Sequence, residues 1–105
     1  MINKIKECFK ADRALYTFHA KEEMRIEESG IIKLAEVYDA VMDGIVIEDY
    51  PKTEPYASCL IFGQTVNKRP LHVVCALDAE DNLAIIITVY EPSKDRWHGS
   101  VRRKR

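Results

Sequence analysis

The pattern of apolar residues changes period at Gly44, and no single type of element can satisfy both halves of the chain. Before Gly44 the apolar residues recur at helical spacing. Ile2, Ile5 and Phe9 predict a short first helix over residues 2–10. Thr17 stands where a second helix would be capped, running to about Glu28 and stopped by Ser29-Gly30. Leu34, Val37, Tyr38, Val41 and Met42 give the third helix an apolar stripe that ends at Gly44. Ala14-Leu15-Tyr16 between the first two helices reads as a brief connector or strand. After Gly44 the period is two. Ile45-Val46-Ile47 starts a strand, Pro51 and Pro55 bracket a loop, and residues 56–66, 71–77 and 83–90 read as three longer strands rich in Val, Ile, Thr and Tyr. The short connections Asn67-Lys68 and Ala79-Glu80-Asp81 imply antiparallel hairpins. The expectation is a single α+β domain over residues 1–105, with N-terminal helices packed on one face of an antiparallel β-meander of about four strands.

Register can be argued from the turns, because paired residues share a face. With Asn67-Lys68 as a two-residue turn, Leu60 faces Cys75, Phe62 faces Val73 and Gly63 faces His72. With Ala79–Asp81 as a three-residue loop, His72 faces Thr88 and Val74 faces Ile86. One face then collects Leu60, Phe62, Val73, Cys75, Ile85 and Val89 and is expected to take the helices. The other places His72, Thr88 and Tyr90 around Gly63, with Val74, Ala76, Ala84 and Ile86 as an apolar middle. A recess edged by His, Thr and Tyr suits a small ligand or a reacting group, and the apolar middle suits a protein partner.

Charge is nearly balanced overall at −1 but unevenly spread. Residues 1–50 hold 7 basic and 11 acidic side chains, and residues 51–105 hold 9 and 6. The short tail over residues 100–105 includes Arg102-Arg103-Lys104-Arg105, which would attract phosphate or an acidic protein, or serve as a solvated end. Cys8, Cys59 and Cys75 are odd in number and lack CxxC spacing, which argues against a disulfide framework or a zinc ribbon. Free cysteines in apolar runs and no apolar stretch of about 18 residues point to a reducing cytoplasm, with no membrane segment, no metal and no cofactor expected.

Two histidines carry the candidate chemistry, since imidazole transfers protons near neutral pH. His19, Glu22 and Glu23 lie at i, i+3 and i+4 on the second helix, so a carboxylate can orient His19. His72 lies on a strand with Thr88 and Tyr90 on its face. The plain alternatives are a surface helix with ordinary charge pairs and a packed strand histidine. Arg25, Arg69 and Arg96 are the candidate phosphate contacts. Trp97, beside Arg96 and His98, packs against the fold or stacks on a base.

The blocks His19-Ala20-x-x-x-Met24, Arg69-Pro70-Leu71-His72-Val73-Val74 and Thr88-Val89-Tyr90-x-Pro92 resemble, in order and spacing, a domain-of-unknown-function family of small prokaryotic proteins. That family resembles the RelE-like and BrnT-like toxins of toxin–antitoxin pairs, within a broader RelE-like and barnase-like set of folds. The resemblance implies a metal-independent endoribonuclease, held inactive by a small zinc-finger antitoxin protein, with His19, His72 and Thr88 as its prominent residues. Where many relatives carry Arg-Met, this chain has Glu23-Met24, followed by Arg25. The alternative is a non-catalytic interaction module of the same fold that binds a protein partner or forms a homodimer.

Overall fold

The computed structural model describes residues 1–93 and, beyond them, only the backbone pairing of Trp97–His98 with Arg102–Arg103. The side chains of Arg96 and Trp97 and the basic tail therefore lie outside the described residues. Among the described residues three helices, α1 (Ile2–Lys10), α2 (Phe18–Ile26) and α3 (Leu34–Asp43), accompany a main sheet of five strands, β1 (Ala14–Tyr16), β2 (Ile45–Tyr50), β3 (Ser58–Gln64), β4 (Pro70–Asp78) and β5 (Leu83–Tyr90). The sheet order is β1-β5-β4-β3-β2. β2 to β5 form the expected antiparallel meander, and β1 adds a fifth strand parallel to β5. Among the described residues no helix is long and apolar enough to cross a membrane.

All three helices lie on one face. Ile5, Cys8 and Phe9 of α1, Ala20 and Met24 of α2, and Val37, Ala40 and Val41 of α3 meet Cys59, Ile61, Leu71, Val73, Cys75, Ala84, Ile86 and Val89 in one buried cluster. Each large aliphatic side chain removed from water there contributes about 1.5–3 kcal/mol. The α3 stripe is rotated from the expected one: Val37, Ala40 and Val41 are buried, whereas Leu34 and Tyr38 face outward. Gly63 shows why. A Cβ on it would stand 1.7 Å from the Ala40 carbonyl oxygen, so α3 touches the backbone of β3 and its seam runs through the small Ala40.

Both hairpins depart from the expected register, and turn chemistry explains each departure. The β3–β4 loop is Val66-Asn67-Lys68, closed by Thr65 N–H to the Arg69 carbonyl (2.9 Å) and Lys68 N–H to the Thr65 carbonyl (2.9 Å). Only Lys68 has a positive φ, of 68°, so the two-residue turn with two left-handed residues is replaced by a three-residue loop. β3 therefore slips by one, and Cys59 pairs with Cys75, Ile61 with Val73, Phe62 with His72 and Gly63 with Leu71. Leu60 and Phe62 leave the helix side, and Gly63 goes under α3 instead of beside His72.

The β4–β5 loop has four residues, 79–82, because Asp78 pairs with Leu83. Asn82 takes a φ of 51°, and Asp78 Oδ1 accepts the Asp81 N–H at 3.2 Å. That slip puts Ala84 and Ile86 under the helices, both fully buried, so they form no exposed apolar patch. A bulge then intervenes: Cys75 pairs with Ile86 but Val74 with Thr88, leaving Ile87 as the extra residue. The bulge restores parity, and Thr88 and Tyr90 return to the face of His72. There His72 pairs with Tyr90 rather than Thr88.

Candidate functional site: the histidine–tyrosine row on the second sheet face

Alternation along the strands builds three rows across the face away from the helices. The first runs Ile45, Phe62, His72, Tyr90; the second Glu48, Leu60, Val74, Thr88; the third Tyr50, Ser58, Ala76, Ile85. A bulge between Val46 and Glu48 is what brings Glu48 and Tyr50 to this face. His72 is wholly buried at 0% exposure. Its Nδ1 lies 3.1 Å from the Tyr90 hydroxyl, and its ring stands edge-on to Tyr90 and to Phe62. Phe62 thus occupies the place the expected register gave to Gly63. Tyr50 donates a hydrogen bond to Glu48 Oε1, and none of Glu48, Tyr50, His72 and Tyr90 is without further partners. Thr88 and Tyr90 are half-buried.

The other candidate residues serve α2 and its surroundings. Thr17 Oγ1 accepts the Ala20 N–H at 3.0 Å, the expected cap, and donates to the Ile87 carbonyl at 3.3 Å. His19 is 67% exposed, with Nε2 at 3.4 Å from Glu23 Oε1. Glu22 instead pairs with Arg25 at 2.8 Å. Of the two carboxylates read as orienting His19, Glu23 is the one that does so, and its Oε1 also accepts the Val89 N–H at 3.1 Å. His19 is thus held at an exposed helix surface while His72 is enclosed against Tyr90 and Phe62.

Arg69 is a clasp. Its Nε donates to Glu91 Oε1 at 2.7 Å, Nη1 to the Ile31 carbonyl at 3.1 Å and to Glu36 at 3.2 Å, and Nη2 to Ser29 Oγ at 3.2 Å and to the Gly30 carbonyl. Burial opposes the guanidinium charge, but Glu91 and Glu36 outweigh it and raise its pKa further. Every guanidinium nitrogen is committed, so a phosphate could bind Arg69 only by breaking this network. Glu36 also accepts the Lys33 N–H at 2.9 Å, closing the first turn of α3.

The cysteines are packing groups. Cys8, Cys59 and Cys75 are free and buried. Burial, reinforced by Asp49, pushes the Cys59 thiol up to about 11, and burial, reinforced by Cys59, pushes Cys75 up as well. Tyr16 is raised to about 12 by burial and by Cys75. Among the described residues no group of three His, Cys, Asp or Glu side chains is placed to hold a metal ion.

A separate groove of about 560 Å³ opens between α1, β1, α2 and α3, lined by Phe9, Leu15, Tyr16, Leu34 and Tyr38 and bearing Asp12 and Lys21. The sequence gives no sign of this groove, because the helical stripe places Leu34 and Tyr38 on the core side of α3. Glu48, Tyr50, Phe62 and Glu27 also stand outside the candidate residues read from the sequence. Glu27 alone had a legible signal, as the third member of a His19, Glu23, Glu27 series at i+4 spacing.

The family model described as a domain of unknown function, DUF4258, matches residues 16–91. No curated protein and no solved structure matches the chain.

Proposed function

The chain belongs to the DUF4258 family, and from its site we propose a metal-independent endoribonuclease of the toxin type, resembling RelE-like and BrnT-like toxins, acting through His72 and Tyr90. The observation that carries this reading is the 3.1 Å contact of His72 Nδ1 with Tyr90 Oη on a sheet face that also gathers Glu48, Tyr50, Thr88 and Ser58. His72 and Ser58 are buried and Glu48, Tyr50, Thr88 and Tyr90 half-buried; withdrawing polar groups from water is costly unless they are satisfied, and a sheet that needed only packing would carry apolar residues there.

In this reading Tyr90, half-buried, meets the substrate, and His72 stands behind it. With the imidazole proton on Nε2, Nδ1 accepts the Tyr90 O–H. As Tyr90 Oη takes the proton of a ribose 2′-hydroxyl, its own proton passes to His72 Nδ1. The 2′-oxygen bonds to the adjacent phosphorus, the bond from phosphorus to the 5′-oxygen breaks, and the proton returns through Tyr90 to that 5′-oxygen. The products are a 2′,3′-cyclic phosphate and a 5′-hydroxyl, with no water consumed. Positioned proton transfer of this kind contributes roughly 10²–10⁴-fold. Thr88, one row away, contacts the backbone of the bound strand. A small zinc-finger antitoxin remains the partner class that the toxin resemblance implies.

The test is induced expression in a bacterial culture, wild type beside Tyr90→Phe and His72→Gln at matched soluble protein. Growth arrest with RNA fragmentation for the wild type alone supports the reading. Equal growth of all three overturns it.

A second reading, a non-catalytic module that forms a homodimer, is favoured by the groove. Leu15 at 53%, Leu34 at 59% and Tyr38 at 40% exposure are large apolar surfaces left in water. Asp12 and Lys21 give the lining one charge of each sign, which a two-fold contact between copies can satisfy reciprocally. Sedimentation of the wild type and Leu34→Asp decides it: a dimer abolished by the substitution supports this reading, and a monomeric wild type ends it.

A further inference from the structure

β1 covers only the first part of the outer edge of β5. It pairs with Ala84, Ile85 and Ile86 and then stops. From Ile87 on, the edge N–H and C=O groups need other partners, because unpaired backbone groups are costly when water is excluded. Those partners come from Thr17, from α2 and from Glu27, the residue that caps its C-terminus. Thr17 Oγ1 takes the Ile87 carbonyl, Glu23 Oε1 accepts the Val89 N–H at 3.1 Å, and Glu27 Oε1 accepts the Glu91 N–H at 3.0 Å. The spacings agree. Residues four apart on a helix are separated by about 6.0 Å along its axis, and residues two apart on a strand by about 6.6–6.8 Å. Two carboxylates at i and i+4 can therefore grip alternate amides of one strand edge, as a neighbouring strand would.

The residue between the two gripped amides is Tyr90. The grip also begins just after the Ile87 bulge, which is the step that returns Thr88 and Tyr90 to the face of His72. A strand that lost the bulge would send Tyr90 to the helix side.

We infer that Glu23 and Glu27 are positioning residues that hold the post-bulge register of β5, so that Tyr90 Oη meets His72 Nδ1. Arg69 supports them by holding the Glu91 carboxylate at 2.7 Å. The role needs an acceptor oxygen at each position and does not need its charge. The inference rests on the His72–Tyr90 reading only for its catalytic consequence, since the placement is measurable without RNA.

The experiment is NMR of the full chain, reading the His72 imidazole nitrogens and amide exchange at Val89 and Glu91. Variants are Glu23→Ala/Glu27→Ala, Glu23→Gln/Glu27→Gln and, as the reference for a lost contact, Tyr90→Phe. The double alanine variant is expected to move the His72 nitrogen signals to those of Tyr90→Phe. Exchange of the two amides should speed up roughly tenfold or more. The double glutamine variant should keep the wild-type signals, since its amide oxygens still accept. Wild-type His72 signals in the alanine variant would overturn the inference, as would alanine-like signals in the glutamine variant. Should the alanine variant not fold, the wild type and the glutamine variant decide: unprotected Val89 and Glu91 amides in the wild type contradict the inference, and protection at both together with wild-type signals in the glutamine variant upholds it. If the alanine variant loses the contact while the wild type cleaves no RNA, the placement stands and the ribonuclease reading falls.

Discussion

The two faces of the sheet are built from the same strands but solve different problems. Under the helices, Cys59, Ile61, Leu71, Val73, Cys75, Ala84, Ile86 and Val89 are all buried, and α3 meets β3 backbone on backbone at Ala40 and Gly63. On the other face, one residue away along each strand, the polar His72, Tyr90, Thr88, Glu48, Tyr50 and Ser58 lie in rows with Leu60, Phe62, Val74 and Ala76, and His72, Ser58, Leu60 and Ala76 are buried there. The helix side depends on shape and will not accept a change of volume or charge. The second side depends on hydrogen bonds and should tolerate changes that keep its shape. The first face is therefore closed by apolar packing, whereas the second mixes polar and apolar side chains, although the two are separated by a single step along β5.

The largest expected effect is on that step. Ile86→Asp would place a carboxylate in the apolar cluster, where burying an unpaired charge costs about 4 kcal/mol or more. Urea denaturation should find it largely unfolded. Tyr90→Phe, four residues on, should lose only about 1 kcal/mol, the net worth of one hydrogen bond. Similar losses for the two would erase the distinction between the faces. Gly63→Ala comes next: its Cβ must push α3 off β3, and overpacking of this kind costs roughly 1–3 kcal/mol, to be read in the same titration.

How far the sequence carried the account can be judged from these residues. The elements were legible, because the change of period at Gly44, the Thr17 cap and the alternation of residues 83–90 are local signals. Register was not. It depends on whether Lys68 and Asn82 take a left-handed φ and on where a bulge falls, and a four-residue loop differs from a three-residue one by a single side-chain acceptor, Asp78 Oδ1. The His72, Thr88 and Tyr90 cluster reached its common face because the loop slip and the Ile87 bulge cancel. Gly63, Ala84 and Ile86 had no such cancellation and fell on the helix side, while Val74 and Ala76 stayed on the face of His72. Arg69 looked like a phosphate contact because its partners, Ser29, Gly30, Ile31, Glu36 and Glu91, are scattered along the chain and only the fold assembles them.

Arg69 tests the border between the two regions. Arg69→Met would leave Glu36, Glu91 and two backbone carbonyls without their donor, at a cost of about 2–3 kcal/mol. Arg69→Lys should recover only part of it, because an ammonium cannot reproduce the fork. Full recovery by lysine would show that charge alone matters there. A smaller effect concerns reactivity: with burial raising Cys59 and Cys75, a thiol reagent at pH 8 should leave both unmodified in the folded chain and label them in denaturant. Labelling of either in the folded chain would mean that the helix-side face opens readily.

The smallest effect is with pH. Burial raises the Glu27 carboxyl, but the amides of Glu91 and Ser29, the Ser29 hydroxyl and Arg69 outweigh it, and its pKa is lowered from 4.5. A lowered folded-state value means that the contribution is present above pH 4.5 and is lost as the pH falls below it through the folded value. The Tm of the wild type should fall across that window more steeply than that of Glu27→Gln, and parallel curves would show that the Glu27 charge contributes nothing to stability.

The central claim, that the second face carries out proton transfer on RNA, is met most directly by incubating purified full-length protein with a defined RNA in EDTA and identifying the ends formed. The account predicts 2′,3′-cyclic phosphate and 5′-hydroxyl ends from the wild type, and a rate lower by roughly 10²–10⁴-fold for Tyr90→Phe. Cleavage by Tyr90→Phe at the wild-type rate, or no cleavage by either protein, would contradict it.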